Sequence, residues 1–178
     1  MKGIYTLILQ MSETATIVTG RLGGICYQSG YYAYTGSARA KSGFSRIRRH
    51  IDVAKGINKT RHWHIDYLLP RTAIQAIIAT STERDLECQI SNCIGRGATP
   101  IIGFGCTDCG CLSHLYYHTD QERIIEEALN AYRRYAENIH QWEFRLEGEE
   151  IVAVYPTPTK TSATTPSRWD REWMELSR

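Results

Sequence analysis

The pattern of apolar and polar positions predicts strands in the first part of the chain. The run GIYTLILQ, residues 3–10, is rich in β-branched, aromatic and aliphatic residues and is bounded by polar ones, as a buried strand would be. Shorter runs of this kind follow in TATIVTGRLGGICYQSGYYAYTG, where glycine-containing turns separate them. Together these runs predict an antiparallel meander.

A helical period begins after this meander. Apolar side chains recur at helical spacing over residues 44–54, Ser42 is available as an N-cap, and Gly56 would end the helix. Arg46 and His50 are four residues apart and therefore share the neighbouring face of this helix. The segment predicts a basic amphipathic helix.

The rest of the chain predicts alternating helices and strands. First we expect a helical turn at HIDYLL ended by Pro70 and a strand at AIQAIIAT. A helix capped by Ser81 or Thr82 should follow, with a buried stripe at Leu86, Ile90, Cys93 and Ile94. The last expected elements are strands at PIIGFG and HLYYH, a helix from about Gln121 to His140, and a hairpin around Glu147-Gly148. This order predicts a mixed α/β (α+β) fold with a small, largely antiparallel sheet flanked by helices. We expect one domain over residues 1–156 and a Thr/Pro/Ser-rich tail over residues 157–178 that buries little surface.

Composition agrees with a single globular domain. The chain has 178 residues, of which 42% are hydrophobic and 22% are charged. Its apolar runs stay below the roughly 18–20 residues that span a bilayer. The start MKGIYTLILQMSE is too short and too quickly polar for a signal peptide. We therefore expect a cytoplasmic protein.

Charge is unevenly distributed, although the net charge of +2 is near neutral. Between Ser37 and His64 lies a basic strip with a single acid, Asp52, whereas residues 120–150 are mainly acidic. The cations of the basic strip are Arg39, Lys41, Arg46, Arg48, Arg49, Lys55, Lys59 and Arg61. Charge blocks are usually solvated faces, but a basic one can also contact the phosphates of a nucleic acid.

The cysteines offer a second kind of chemistry. Six cysteines in a cytoplasmic chain argue against a disulfide framework, because reducing compartments keep thiols free. Three thiols and one imidazole lie within nine residues of a glycine-containing loop, which suits a compact zinc site, although ligands so close in sequence often cannot all reach one metal. The candidate ligands are Cys106, Cys109, Cys111 and His114. Buried or loop cysteines are the alternative, and Cys26, Cys88 and Cys93 are interpreted as core residues.

The run RHWHIDYLL allows two interpretations. His62, His64 and Asp66 could bind a metal, since two imidazoles two residues apart and a carboxylate can chelate. Alternatively, a short helix packs Trp63 and Tyr67 into the core, with His64 and Asp66 as hydrogen-bonded supports. We favour the second interpretation, in which His62 remains available to contact a phosphate.

Two short motifs suggest where catalysis would occur. If the strands that carry Gly3-Ile4-Tyr5 and Tyr34-Thr35-Gly36 pair, two tyrosine hydroxyls approach each other beside the helix of Arg46 and His50. Phosphodiester hydrolysis needs a group that orients or deprotonates water, a cation for the phosphate and a divalent metal. Glu87, at the border of the next predicted helix, can supply a carboxylate for that metal.

These motifs resemble the GIY-YIG nucleases, a family named after the motif pair that is seen here as GIY and YTG. The chain is more closely similar to the Uri superfamily branch of predicted endonucleases, formerly classed as a domain of unknown function. The resemblance extends to about Tyr117 and rests on ordered blocks: GIYTL, YYAYTGSA, RIRRHI, HWHIDYLL, LECQI and GFGCTDCGCLSHL. It implies a GIY-YIG-like fold, with the segment SETATIVTGRLGGICYQSG as a hairpin inserted between the two motifs.

The resemblance also implies roles for individual residues. The catalytic set would be Tyr5, Tyr34, Gly36, Arg46, His50 and Glu87. A tyrosine would help activate water, the arginine would bind the phosphate, and Glu87 would hold Mg²⁺ or Mn²⁺. Because an ordinary tyrosine has a pKa near 10, we expect Arg46 and His50 to lower it, and we expect Gly36 to let the backbone approach a phosphate.

The expected function is therefore metal-dependent endonuclease activity on nucleic acid, DNA rather than RNA, in DNA repair or processing. The residues expected to contact nucleic acid are Arg39, Lys41, Arg48, Arg49 and His62. One alternative is a non-catalytic nucleic-acid-binding module on the same scaffold. Another is a structural or assembly protein that uses the acidic C-terminal helix as its partner surface.

Overall fold

The fold is a mixed α/β arrangement, as the sequence pattern predicts. The computed structural model describes residues 2–40, 43, 45–147 and 150–154. The strands are β1 (Gly3–Met11), β2 (Ala15–Val18), β3 (Gly24–Tyr27), β4 (Gly30–Ser37), β5 (Ala73–Ser81), β6 (Thr99–Pro100), β7 (Leu115–His118), β8 (His140–Glu147) and β9 (Glu150–Val154). The helices are α1 (Ser45–Ala54), α2 (His64–Leu68), α3 (Glu87–Ile94) and α4 (Gln121–Tyr135). Within these described residues, no helix is long and apolar enough to cross a membrane.

A seven-stranded antiparallel sheet forms the centre of the molecule, in the order β6-β7-β4-β1-β5-β8-β9. Strand β1 lies in the middle and is almost entirely buried. Apolar residues occupy both faces of β1 instead of alternating with polar ones, because helices cover both faces of the sheet. The odd-numbered side chains of β1 face α1 and α2, whereas Ile4 and Ile8 face α3 and α4.

The register of β1 and β4 brings the two tyrosine motifs together. Tyr5 lies opposite Gly36, and Leu7 lies opposite Tyr34. Side chains two positions apart on a strand share a face, so Tyr5 and Tyr34 are diagonal neighbours on the side of the sheet that α1 covers. The pairing expected from the sequence is therefore present.

The segment between the two motifs forms the expected hairpin. Strands β2 and β3 pair as a separate two-stranded sheet, joined through a 3-10 turn at Gly20–Leu22. Ile17 and Ile25 pack against the same core cluster as Tyr5. The insertion is thus anchored to the face of the sheet that carries the tyrosines.

The stretch PIIGFG is not the strand that its apolar residues suggest. Only Thr99–Pro100 pairs with β7, and the chain then turns. Gly103 and Gly105 have φ angles of 78° and 71°. These left-handed conformations are incompatible with an extended strand, so residues 101–114 form an irregular loop, called the cysteine loop below.

Two other expected boundaries differ in the structure. Strand β5 continues through Ser81, so α3 begins at Glu87 rather than after a cap at Ser81 or Thr82. Helix α4 ends at Tyr135 rather than near His140, because β8 begins there and pairs with β5. The expected hairpin between β8 and β9 is present.

The proposed cap Ser42, the phosphate-contact candidate Lys41 and the 157–178 tail lie outside the described residues.

Candidate active site

Three buried polar side chains, from Tyr5, His50 and Asp66, contact one another in series on one face of the sheet. The Tyr5 hydroxyl lies 2.7 Å from Nε2 of His50, and Nδ1 of His50 lies 3.6 Å from Oδ1 of Asp66. Tyr5 comes from β1, His50 from α1 and Asp66 from α2, and all three are shielded from solvent. A phenol, an imidazole and a carboxylate therefore stand in order, as the groups of a proton relay would.

Asp66 is held in place as an anion. Both of its oxygens accept from the Arg49 guanidinium at 2.8 Å, and Oδ2 also accepts from the backbone N–H groups of His62 and Trp63 at 2.8 and 3.1 Å. Burial raises the pKa of Asp66, but the facing His50 imidazole, the Arg49 guanidinium and the two backbone N–H groups outweigh burial and hold it well below its usual range. Asp66 is thus a fixed negative charge behind His50.

His50 is a neutral imidazole at neutral pH. Burial lowers its pKa, and the Asp66 carboxylate opposes this only in part. Because the Tyr5 hydroxyl is a phenol that donates to Nε2, the imidazole proton is assigned to Nδ1, which faces Asp66. At 3.6 Å this contact is longer than a hydrogen bond, and Nδ1 has no hydrogen-bond partner among the described residues. His50 can therefore accept a proton on Nε2.

The expectation that cationic neighbours lower the pKa of Tyr5 is wrong. Burial raises the pKa of Tyr5 well above its usual value, and the neighbouring Tyr34 adds to this rise, while the Arg46 charge opposes it. His50 adds no positive charge, because it is neutral. Tyr5 is thus a protonated phenol in this structure, and the base in the arrangement is His50.

Tyr34 completes the aromatic wall of the site. Its ring centroid lies 6.4 Å from that of Tyr5 and 6.2 Å from that of His50, in edge-to-face geometry. Burial and then the Glu87 carboxylate raise the pKa of Tyr34, and the Arg46 charge opposes them. With 9% of its surface exposed, Tyr34 is the less buried of the two tyrosines.

Gly36 is required by the Tyr5 side chain. A Cβ atom at this position would lie 2.6 Å from the Tyr5 hydroxyl oxygen and 3.2 Å from the Tyr34 ring. Such contacts are too short for any side chain, so glycine is needed for the two tyrosines to share this face. The reason expected from the sequence, close approach of a phosphate, is not needed to explain Gly36.

Arg46 is anchored at the rim of the site. Its Nη1 donates to the backbone oxygen of Ser37 at 2.8 Å, and its guanidinium carbon lies 4.6 Å from the ring centroid of Trp63. Arg49 stacks on the same indole at 4.6 Å. Trp63 is exposed rather than packed in the core, contrary to expectation, because it covers these guanidiniums. The Nε of Arg46 is buried and has no hydrogen-bond partner among the described residues.

The run around α2 supports the site without forming a metal cluster of its own. His64 accepts a hydrogen bond from the backbone N–H of Gly105 at 3.1 Å, and Asp66 is bonded as described above. Both are hydrogen-bonded supports, as the favoured interpretation expects. Across the part of the chain that the structure describes, neither belongs to a group of potential metal ligands.

Glu87 is the first residue of α3. Its side chain is 23% exposed, and Oε1 lies 3.1 Å from Nδ1 of His114. Its charge raises the pKa of both Tyr5 and Tyr34. The carboxylate is therefore an electrostatic neighbour of both hydroxyls.

A cluster that could bind a metal adjoins Glu87. The ligand atoms of its four members lie within 4.8 Å of one another. The members are Cys88, Cys109, Cys111 and His114. Three of these were expected as zinc ligands, but Cys88 takes the place that the sequence assigned to Cys106 and is not a plain core residue. Cys26 is exposed and is not a core residue either.

Among the residues expected to contact nucleic acid, Arg48 and Arg49 lie on α1, and His62 lies just before α2. Arg39 pairs with Asp85 at 2.8 Å, and Arg48 pairs with Asp52 at 3.1 Å. His62 is exposed beside Trp63. Arg49 is bound to Asp66 on both of its terminal nitrogens, so it stabilises the relay.

Fold and site together define a small α/β domain in which a buried tyrosine–histidine–aspartate arrangement lies near a cluster of three cysteines and one histidine that could hold a metal ion. The chain belongs to the family described as domain of unknown function DUF123, which it matches over residues 4–137. The match runs from β1 to just beyond α4 and includes every residue of the relay and the cluster. No curated protein and no solved structure matches the chain significantly.

Proposed function

We propose that this protein is a metal-dependent endonuclease that hydrolyses phosphodiester bonds in nucleic acid, with DNA as its substrate. The observation that carries the proposal is the hydrogen bond from buried Tyr5 to the neutral imidazole of His50, with Asp66 behind it. The resemblance of the GIY and YTG motifs to the GIY-YIG nucleases, and of the later blocks to the Uri branch, supports the same assignment.

The relay supplies the base for hydrolysis. During attack, the Tyr5 oxygen accepts a proton from the water nucleophile while its own proton moves to Nε2 of His50. The resulting imidazolium is stabilised by the Asp66 carboxylate, 3.6 Å from Nδ1. A raised tyrosine pKa is compatible with this role, because Tyr5 transfers a proton without becoming a free phenolate in the resting protein.

Arg46 and Glu87 supply the charges that a phosphodiester requires. Arg46 is held at the rim by Ser37 and Trp63, and a guanidinium matches the geometry of phosphate oxygens. Glu87 offers one partly buried carboxylate, which fits Mg²⁺ or Mn²⁺ because such ions often bind one or two carboxylates together with substrate oxygens and water. The ion would stabilise charge on the leaving oxygen.

The proposal is tested by incubating labelled linear, branched, mismatched and single-stranded DNA with the protein and Mg²⁺ or Mn²⁺. We expect nicking that EDTA abolishes and that Glu87→Ala removes, whereas Glu122→Ala, an exposed change on α4, leaves it intact. Cleavage that survives in Glu87→Ala would overturn the metal assignment. Binding without cleavage on every substrate would instead favour a non-catalytic nucleic-acid-binding module.

A further inference from the structure

The cysteine cluster joins two parts of the chain that are distant in sequence. Cys88 lies in the first turn of α3, whereas Cys109 and Cys111 lie in the cysteine loop and His114 directly precedes β7. His114 is buried and the three thiols are half-buried, so the ligand atoms face an interior shared by the helix and the loop. The cysteine loop supplies three of the four members, and α3 supplies the fourth, Cys88.

Distances within the cluster match the edges of a tetrahedral metal site. Sγ of Cys109 lies 3.5 Å and Sγ of Cys88 lies 3.9 Å from Nε2 of His114. Around a tetrahedral Zn²⁺ with ordinary bond lengths, a sulfur and a nitrogen ligand are about 3.6 Å apart. The thiols of Cys88 and Cys109 therefore already stand near the spacing from His114 that a zinc ion imposes, and the Cys111 thiol lies within 4.8 Å of the other ligand atoms.

The histidine is oriented as a metal ligand by Glu87. Nδ1 of His114 is hydrogen-bonded to Oε1 of Glu87, which leaves Nε2 directed at the thiols. Histidine ligands in metal sites characteristically donate their second N–H to a carboxylate, which fixes the ring and its tautomer. This contact is independent of the cysteine geometry and points to the same use of the cluster.

We propose that Cys88, Cys109, Cys111 and His114 bind one structural Zn²⁺, with Glu87 as the carboxylate that orients His114. Four protein ligands close the coordination shell, as is typical of structural rather than catalytic zinc, and three thiolates favour zinc over the hard ions Mg²⁺ and Mn²⁺. The zinc ion ties the irregular cysteine loop to α3. It also places the Glu87 carboxylate, because one of its oxygens is committed to His114.

Metal content is the first test. The full chain, purified without chelator and with its thiols reduced, is expected to contain about one zinc per chain by mass spectrometry. Cys88→Ser and Cys109→Ser should each lose most of it, whereas the matched controls Cys106→Ser and Cys26→Ser should keep it. Less than half an equivalent in the wild-type protein after incubation with zinc, or loss in Cys106→Ser equal to that in Cys88→Ser, would overturn the assignment.

Cobalt substitution tests the geometry without relying on variants that fold poorly. The wild-type chain, stripped of metal and reloaded with Co²⁺, should show the intense visible bands of a tetrahedral site together with sulfur-to-metal charge transfer. The Cys106→Ser protein should give the same spectrum. A weak spectrum typical of six oxygen ligands would contradict a site of three thiolates and one imidazole.

The role of Glu87 is tested by zinc affinity, in competition with a coloured chelator. Glu87→Gln should weaken binding about 10- to 100-fold, as expected for loss of a carboxylate that orients a histidine ligand. Unchanged affinity would remove Glu87 from the zinc site. The zinc site and the nuclease activity can fail separately, since a zinc-loaded protein that cleaves no DNA contradicts only the proposed function.

Discussion

At the scale of single residues, Asp66 determines the chemistry of its surroundings. It binds Arg49, receives two backbone N–H groups and faces Nδ1 of His50. The sequence predicts Asp66 as a hydrogen-bonded support, but it does not predict which histidine it supports. That partner depends on how α1 packs against α2, and a contact across 16 residues leaves no periodic pattern in the sequence.

Replacing Asp66 by asparagine should destabilise the protein and change how its stability depends on pH. Asp66→Asn leaves Arg49 without its counterion, so we expect the free energy of unfolding to fall by about 2–3 kcal/mol. This fall is smaller than for a fully buried ion pair, because Arg49 is partly exposed. The pKa of Asp66 is lower in the folded protein than in the unfolded chain. Its contribution to the free energy of unfolding is therefore complete above the unfolded-state pKa of about 4 and declines as pH falls below that value.

Urea unfolding of both proteins between about pH 3 and pH 7 measures this difference. The wild-type advantage should be constant near neutrality and should shrink below about pH 4. Asp52→Asn, which removes a partly exposed pair with Arg48, is the matched control and should cost less than about 1 kcal/mol. An equal loss in the two variants would contradict the assigned role of Asp66.

At the scale of elements, the pairing of β1 with β4 was predictable and the cluster at α3 was not. Strand patterns and glycine-containing turns are local features, so the individual strands, the inserted hairpin and the pairing of β1 with β4 follow from the sequence. The expected antiparallel meander is wrong, because β1 pairs directly with β4 and the hairpin β2–β3 forms a separate sheet. The cysteine loop was mistaken for a strand at PIIGFG, because apolar residues do not reveal positive φ angles. Cys88 was missed as a cluster member because it reaches the loop only after α3 has folded against it.

Gly36 gives a test of the β1–β4 packing. Gly36→Ala places a methyl group 2.6 Å from the Tyr5 hydroxyl oxygen, and backbone pairing prevents the strands from moving apart freely. We expect a destabilisation of about 1–3 kcal/mol, as for overpacked cores. Gly24→Ala is the control, because its Cβ would make only an ordinary 3.5 Å contact with Thr16. If chemical denaturation gives the two variants equal stabilities, a methyl group at position 36 does not crowd the Tyr5 side chain.

Across the whole molecule, fewer cations of the basic strip are available to bind phosphates than its composition suggests. The sequence shows the cations but not their partners, and Arg39, Arg48 and Arg49 are each paired with an acid. Exposed ion pairs contribute only about 0–1 kcal/mol, so Arg39 and Arg48 can exchange their partners for phosphates at small cost. Arg49 cannot do so without breaking the support of Asp66.

This difference predicts how DNA binding depends on salt. Arg48→Gln should weaken binding similarly for all sequences and reduce the slope of log affinity against log salt by about 1. Arg133→Gln, which changes an exposed residue of α4, should alter neither the affinity nor the slope. Fluorescence anisotropy over a salt series measures both. An effect of Arg133→Gln as large as that of Arg48→Gln would place the nucleic acid elsewhere on the molecule.

In the proposed function, the buried relay from Tyr5 through His50 to Asp66 activates the water that hydrolyses a phosphodiester bond. The most direct measurement is the single-turnover nicking rate of the zinc-loaded Tyr5→Phe protein on labelled DNA with Mn²⁺, beside wild type and the partly buried control Tyr31→Phe. Urea unfolding of each variant verifies that it is folded. We expect Tyr5→Phe to lose about 10²- to 10⁴-fold in rate, as for loss of general-base catalysis, because the proton of the water can no longer pass through Tyr5 to His50, with Tyr31→Phe unchanged. A folded Tyr5→Phe protein that nicks DNA at the wild-type rate would contradict the account.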